Sequence, residues 1–317
     1  MGATRVSIIF PYLGDDDNVR EKLYQIINST LNPSRGLKLH TSNMKPVLVV
    51  NMDTIKRGVY SKFEDYLDKK GKKQLLDGLD ILKVWSVDTC QMWLSGYGKI
   101  IDDKEKNPKD NTSCVLQLPG DLKYVRDFDI FLNTLVSLRT RVEAGFDFII
   151  GDFNVEPQRS KYLIDLYGTY PLLYNWFPEF ATEIREGLRI QRPRSEFLAA
   201  NLDFLSKMLA KRRFAYEQTL AFLIHSLSDK ERVWKIGRVD IGTIGDYEKD
   251  RGFREANDQI ERTERMLKFL WREINGGDRF DVEKFEMLDR RSTAIREAAI
   301  VSLENFLNPK RSCSAIE

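Results

Sequence analysis

Short apolar runs that stop at Gly, Pro, Asp or Asn recur along the chain, separated by stretches whose apolar residues return every three or four positions. The runs RVSIIFPYL (5–13), KPVLVVNMD (45–53), DILKVWSV (80–87), CVLQL (114–118) and FDFIIGDFN (146–154) show no polar alternation and predict strands buried on both faces. Between them, VREKLYQIINSTL (19–31) places Val19, Leu23, Ile26 and Ile27 on one helical face, and FEDYLDKKGKKQLLDGL predicts a charged helix or two. Within 124–145, Phe128, Phe131, Leu132, Leu135, Leu138 and Val142 again follow helical spacing. Strands of this kind alternating with helices predict an α/β chain with a parallel sheet covered on both faces.

The texture changes after Pro157. YGTYPLLYNWFPEF (167–180) is aromatic and broken by prolines, and either lines a pocket or packs a second layer. The stretch 195–227 predicts helices interrupted at the basic KRR, RVWKIGRVDIG (232–242) returns to strand texture, and Ile260, Leu267, Leu270, Trp271 and Ile274 form one helical stripe. That stripe reads as core, with enough length to seat a second copy in a homodimer. From Gly276 the chain predicts a further helix or two and a polar tail, PKRSCSAIE.

Composition narrows the chemistry. With 317 residues and 42% hydrophobic content the chain can build a sizeable core, and a net charge of +2 argues against nucleic acid as a partner. Three cysteines without a CxxC spacing speak against a disulfide framework or a zinc site. Two histidines, His40 and His225, leave little for a histidine-rich metal centre or a Ser-His-Asp triad. Carboxylates, amides, Lys and Arg must do the work. No apolar run reaches membrane-spanning length and MGATRVSIIFPYL reads as a strand, so a cytoplasmic, reducing setting is expected, with the NST and NTS triplets taken as chance.

The predicted strands end in GDDD, NMD, PGD and GDFN, and ligands of open α/β sheets bind beyond such carboxyl ends. Asp152 and Asn154 are two apart, so on a strand both point to one side and offer hard oxygens to Mg2+ or Mn2+. The same residue types also make turns and caps. Asp15 to Asp17 can cap the following helix, Asp53 can be a turn residue, and Asp246 sits in a Gly-Asp loop. KRR can close a helix, Glu217 can be a surface residue, and His225 reads as a packing histidine.

The order of these pieces resembles the GT-A-fold glycosyltransferases, most closely the retaining glucosyl-3-phosphoglycerate and mannosylglycerate synthase group. PYLGDDDNV (11–19) is similar to that group's proline and acidic loop, and GDFN occupies the place of its Asp-x-Asp, with Asn154 as the second member. RPRSEFLAANLDFLSKMLAKRRFAYEQTLAFLI (192–224) resembles the segment with a GGEYA-like turn and helix. VDIGTIGDYEKD (239–250) resembles the segment where a histidine completes the metal site, here Asp246. LPGDLKY (118–124) stands loosely for the family's PGKG, with Lys123 for its lysine.

The resemblance implies a Rossmann-like GT-A α/β fold, a mostly parallel sheet flanked by helices, with a helical C-terminal extension. It implies a nucleotide-sugar half at 1–157, an acceptor half of the same domain at 158–275, and an extension with a tail at 276–317. The implied activity is metal-dependent hexosyl transfer, retaining in outcome, from a nucleotide-diphosphate sugar to a small acidic or glycan acceptor. Pro11, Tyr12, Leu13, Gly14, Asp15, Asp53, Gly120 and Lys123 would face the donor, and Asp152, Asn154 and Asp246 the Mg2+ or Mn2+. Asp152 and Glu217 would be catalytic, with Arg194, Lys211, Arg212 and Arg213 on the acceptor. Two alternatives stand beside this: a non-catalytic GT-A-like binding module, for which Asn154 argues, and a sugar-phosphate nucleotidyltransferase, against which the missing GxGxR loop argues.

Overall fold

The structure, a computed structural model, describes residues 2–11, 16–33, 37–86, 89–155, 163–210, 218–246, 253–276 and 280–307. Eight strands form one mixed sheet among the described residues: β1 (Ala3–Ile9), β2 (Val47–Asn51), β3 (Asp80–Val84), β4 (Thr112–Pro119), β5 (Leu122–Val125), β6 (Phe148–Val155), β7 (Leu198–Asn201) and β8 (Ile236–Asp246). Their spatial order is β3-β2-β1-β4-β7-β6-β8-β5. The first half is parallel: Ile8 pairs with Leu48, Leu48 with Ile81, and Val6 with Leu116. β7 then runs antiparallel to both β4 and β6, which leaves β6 pointing the same way as β4. β5 runs antiparallel to β8, with Leu122 opposite Asp246.

Helices follow where the periodicity asks for them. Asp16 caps α1 (Asp17–Leu31) by accepting from the backbone N–H of Asn18, and the helix buries Val19, Leu23, Ile26, Ile27 and Thr30. Asn51 caps the short α2 (Met52–Lys56), and α3 (Val59–Lys69) buries Val59, Tyr60, Phe63 and Leu67. After α4 (Thr89–Lys106) comes α5 (Phe128–Glu143), capped by Asp127 and burying the five residues Phe131, Leu132, Leu135, Leu138 and Val142. Together with Val6, Ile8, Leu48, Val50, Leu116, Leu118, Ile149 and Phe197, the faces of α1, α3 and α5 close one continuous core.

Two strands depart from the sequence reading. β5 occupies Leu122–Val125, where the periodicity had the approach to a helix, and β7 occupies Leu198–Asn201, inside a stretch read as helical. Both are four residues long, too short to show a period. Leu198, Ala199 and Ala200 are strand because they lie between β4 and β6, where each backbone group finds a ladder partner.

The chain divides into two compact units. One comprises Met1–Phe153, Ser195–Ala215 and Trp234–Tyr247, and so holds nearly the whole sheet; the other comprises Asn154–Arg194, Tyr216–Val233 and Glu248–Glu317. Within the second unit the aromatic stretch packs as a layer: Trp176 lies 5.6 Å from Phe285 and 6.1 Å from Trp271, ring centre to ring centre. The Trp176 indole N–H donates to Ser292 Oγ at 3.1 Å. Ile260, Leu267, Leu270 and Trp271 of the helix Phe253–Asn275 are buried, so the stripe serves this unit's own core. Among the described residues no helix is long and apolar enough to cross a membrane.

Candidate functional site

The directions of β1, β2, β3, β4 and β6 bring their carboxyl ends to one rim of the sheet, the side on which open α/β sheets bind ligands. At its centre the chain after β1 meets the turn after β4. A Cβ on Gly120 would lie 2.3 Å from the carbonyl oxygen of Ile9 and 3.2 Å from Pro11 Cδ, so this close approach admits glycine alone. Lys123, just beyond on β5, reaches back so that its Nζ lies 3.1 Å from Asp16 Oδ2, while Asp16 Oδ1 accepts from Asn18 N at 2.7 Å. Burial would raise the Asp16 carboxyl; Lys123 and the helix N–H groups outweigh it and hold the group below its usual range.

At the ends of β2 and β3, Asn51 is buried and uses both ends of its amide. Oδ1 accepts from Asp53 N at 2.9 Å and Nδ2 donates to Ser86 O at 2.9 Å. Asp53 is thereby fixed, half-buried, in the first turn of α2, where a carboxylate favours the helix dipole. Trp85, one residue past β3, is 63% exposed, and Lys56 Nζ stands 4.2 Å above its ring centre. The sequence reading had Trp85 inside a buried strand, and only the structure shows it exposed past the end of β3.

The GDFN segment answers to its neighbours on both sides. Gly151 is small because a Cβ there would come 2.7 Å from Phe197 Cβ and 3.3 Å from Ile241 Cγ2. Its carbonyl accepts from Ser195 Oγ and its N–H donates to Phe197 O at 2.8 Å. Asp152 follows, buried to 3% exposure, with Oδ2 accepting from Arg238 Nη1 at 3.2 Å; Arg238 comes from β8. Asn154, on the same side of β6, is exposed.

Of the three residues expected to hold a divalent ion, two have described side chains, Asp152 and Asn154, and the side chain of Asp246 lies outside the described residues. The described carboxylate is already paired with a guanidinium, Asn154 adds no charge, and no group of three His, Cys, Asp or Glu among the described residues is placed to hold a metal.

No protein-family model and no curated protein matches the sequence. Among solved structures, mannosyl-3-phosphoglycerate synthase from Rubrobacter xylanophilus superposes with a TM-score of 0.50 at 11% identity, covering 88% of this chain and 77% of that one. The chain has the GT-A fold. A mannosyltransferase from Pyrobaculum calidifontis in complex with GDP-Man and Mn2+ matches more distantly, with a TM-score of 0.44 at 10% identity, covering 96% of this chain and 87% of that one.

On the GT-A sheet, Pro11 and Gly120 meet, Lys123 joins the loop leading into α1, and Asp53 and Asp152 stand on the same rim. Asp246 ends β8 opposite Leu122 in backbone register; its side chain lies outside the described residues. Tyr12, Leu13, Gly14, Asp15, Lys211, Arg212, Arg213 and Glu217 lie outside them as well.

Arg194 lies in the second unit. Its Nε donates to Asp165 Oδ1 at 2.8 Å and its Nη2 to Gln259 Oε1 at 3.1 Å, with Arg192 Nη1 on the other Asp165 oxygen at 3.2 Å. With Asp165 and Arg192 both buried, this is a buried ion cluster. His225 is buried too, with Nε2 3.9 Å from Glu273, in keeping with a packing histidine. Sequence reasoning missed Arg238, Trp85 and Lys56, since nothing in the local pattern marks a strand arginine as the partner of a carboxylate 86 positions earlier.

Proposed function

We propose that this chain is a glycosyltransferase that moves a hexose from a nucleotide-diphosphate sugar to a hydroxyl of a small or glycan acceptor. The observation that supports it is the rim itself: a GT-A sheet whose parallel carboxyl ends carry Pro11 against Gly120, Asp16 with Lys123, Asp53 on its capped turn and Asp152 with Arg238. In the reaction the bond from the anomeric carbon to the diphosphate oxygen breaks and one to the acceptor oxygen forms. The diphosphate leaves with the electron pair and the acceptor's proton passes to a base. Charge grows on the leaving diphosphate, so cations held at this rim are where stabilisation counts most.

In this reading Tyr12 to Asp15 lie along the donor, Glu217 orients or deprotonates the acceptor, and Lys211, Arg212 and Arg213 bind an acidic acceptor, with a retained anomeric configuration. Mg2+ or Mn2+, the cofactor of the sequence expectation, has in Asp152 a carboxylate that Arg238 already holds, and no step is assigned to it. The test is thermal unfolding with millimolar UDP- and GDP-sugars, followed by an assay for free nucleoside diphosphate. Donors are expected to raise the midpoint, and Asp152→Ala to abolish turnover in a folded protein. If no donor shifts the midpoint, the reading is wrong.

The engaged Asp152 and the neutral Asn154 favour a second reading, a nucleotide- or glycan-binding module without turnover. Donor binding without release of nucleoside diphosphate for any sugar identifies it.

A further inference from the structure

We propose that Arg238 takes the place of the divalent ion in this chain, so that the donor's diphosphate is held by a guanidinium that Asp152 steers; the inference rests on the nucleotide-sugar reading above. Asp152 is buried at the end of β6, and β8 carries Arg238 across to it, with Nη1 3.2 Å from Oδ2. That bond occupies one corner of the fork. The arginine side chain keeps 34% of its surface in solvent, and on this proposal its remaining donors turn toward the rim.

A planar fork anchored on one side by a carboxylate is set to meet phosphate oxygens in pairs on the other. The charges agree. Asp152 and Arg238 cancel and Asn154 is neutral, so among the described side chains expected to face the ion there is no net negative charge to draw a dication. A diphosphate needs N–H donors set beside a neutralised carboxylate, and the guanidinium supplies them. Lys123, paired with Asp16 on the same rim, adds a second cationic side chain, 39% exposed. On this account the change from carboxylate to amide at position 154 and the arginine at position 238 are two parts of one device. With the metal gone, a second carboxylate would only repel the phosphates.

The experiment is calorimetric titration of the full chain with GDP, UDP and ADP, once in EDTA and once in millimolar Mn2+. The wild type is expected to bind at least one nucleoside diphosphate in EDTA with an affinity within about threefold of that in Mn2+. Arg238→Ala is expected to weaken binding in EDTA by at least about tenfold and to give a response to Mn2+, because a dication near Asp152 then meets no guanidinium charge. A merely structural arginine would not produce that crossover. A wild-type affinity that rises about tenfold or more with Mn2+ overturns the proposal and leaves the nucleotide-sugar reading standing. Binding to no nucleotide in either buffer overturns both. If Arg238→Ala does not fold, the wild-type comparison decides alone.

Discussion

Arg5 offers the sharpest test of how the sheet is held together, and it lies at the rim opposite the site. Its side chain is fully buried near the start of β1. Nε donates to Lys45 O at 2.7 Å, Nη1 to Asp103 Oδ2 at 2.7 Å and Nη2 to Asp80 Oδ2 at 3.3 Å. Lys99 closes the network on the same two carboxylates, at 3.0 Å from Asp80 and 2.5 Å from Asp103. Arg5→Leu keeps much of the volume and removes the guanidinium. Two losses follow. The Lys45 carbonyl is left without its donor, at about 1–3 kcal/mol, and two carboxylates share the single charge of Lys99. Breaking a buried pair costs about 3–5 kcal/mol, and that is the range expected here, a large share of the roughly 5–15 kcal/mol that keeps a domain folded.

The assay is urea unfolding, reading the midpoint at constant slope. The sign of the pH dependence is fixed by Asp103. Burial would raise its carboxyl, but hydrogen bonds from Lys99 and Arg5 hold it below the ordinary 3.8. Its contribution is therefore complete above pH 3.8 and is lost as the pH falls through the lower folded value, so the difference between wild type and Arg5→Leu should narrow in acid, down to the pH-independent loss of the Lys45 carbonyl's donor. Nucleotide affinity should not change, since the network lies at the amino ends of β1 and β3. A cost below about 1 kcal/mol, or a difference that does not shrink in acid, refutes the reasoning.

Two further tests bear on the site and on the acid limb. Gly151→Ala drives a methyl against Phe197 Cβ, which is no flexible tip, and should cost about 1–3 kcal/mol by overpacking and weaken donor binding by displacing Asp152; urea titration and calorimetry read the two effects. His40 is held neutral, its Nδ1 accepting from Val6 N–H at 3.3 Å and its Nε2 donating to Met44 O at 2.6 Å. Burial, helped by the charge of Arg5, keeps its pKa below the usual 6.5. The unfolded chain binds the proton first. Stability should fall as the pH drops below 6.5, by no more than about 1.4 kcal/mol per pH unit, and His40→Gln should flatten that limb.

Much of the fold could be read from the chain. Four of the five apolar runs before Pro157 hold strands close to the expected limits, and the faces of α1 and α5 bury the residues their spacing named. The run 5–13 is the partial exception: β1 ends at Ile9, with Pro11 already past it. Local signals carry this far because an apolar strand and an amphipathic helix each announce which side must leave water. β5 and β7 announce nothing, being single short segments whose conformation is set by the edges they complete. The site divides along the same line. Asp53 and Asp152 were named as carboxylates at strand ends, which parallel topology gathers on one rim, and Pro11, Gly120 and Lys123 were named from the resemblance. Arg194, expected on the acceptor, is bonded within its own unit to Asp165 and Gln259, contacts that its neighbours in the chain do not announce.

By itself, then, the sequence determined the α/β alternation, the helical faces and the acidic strand ends, because each is a short-range consequence of what neighbouring residues can bury or cap. The tertiary structure alone decided the insertion of β7 between β4 and β6, the glycine-lined crossing of Pro11 and Gly120, and the pairing of Asp152 with Arg238. These depend on which distant segments become neighbours. A carboxylate's chemistry is set by the charge it meets across the sheet, and the residues beside it in the chain do not specify that charge.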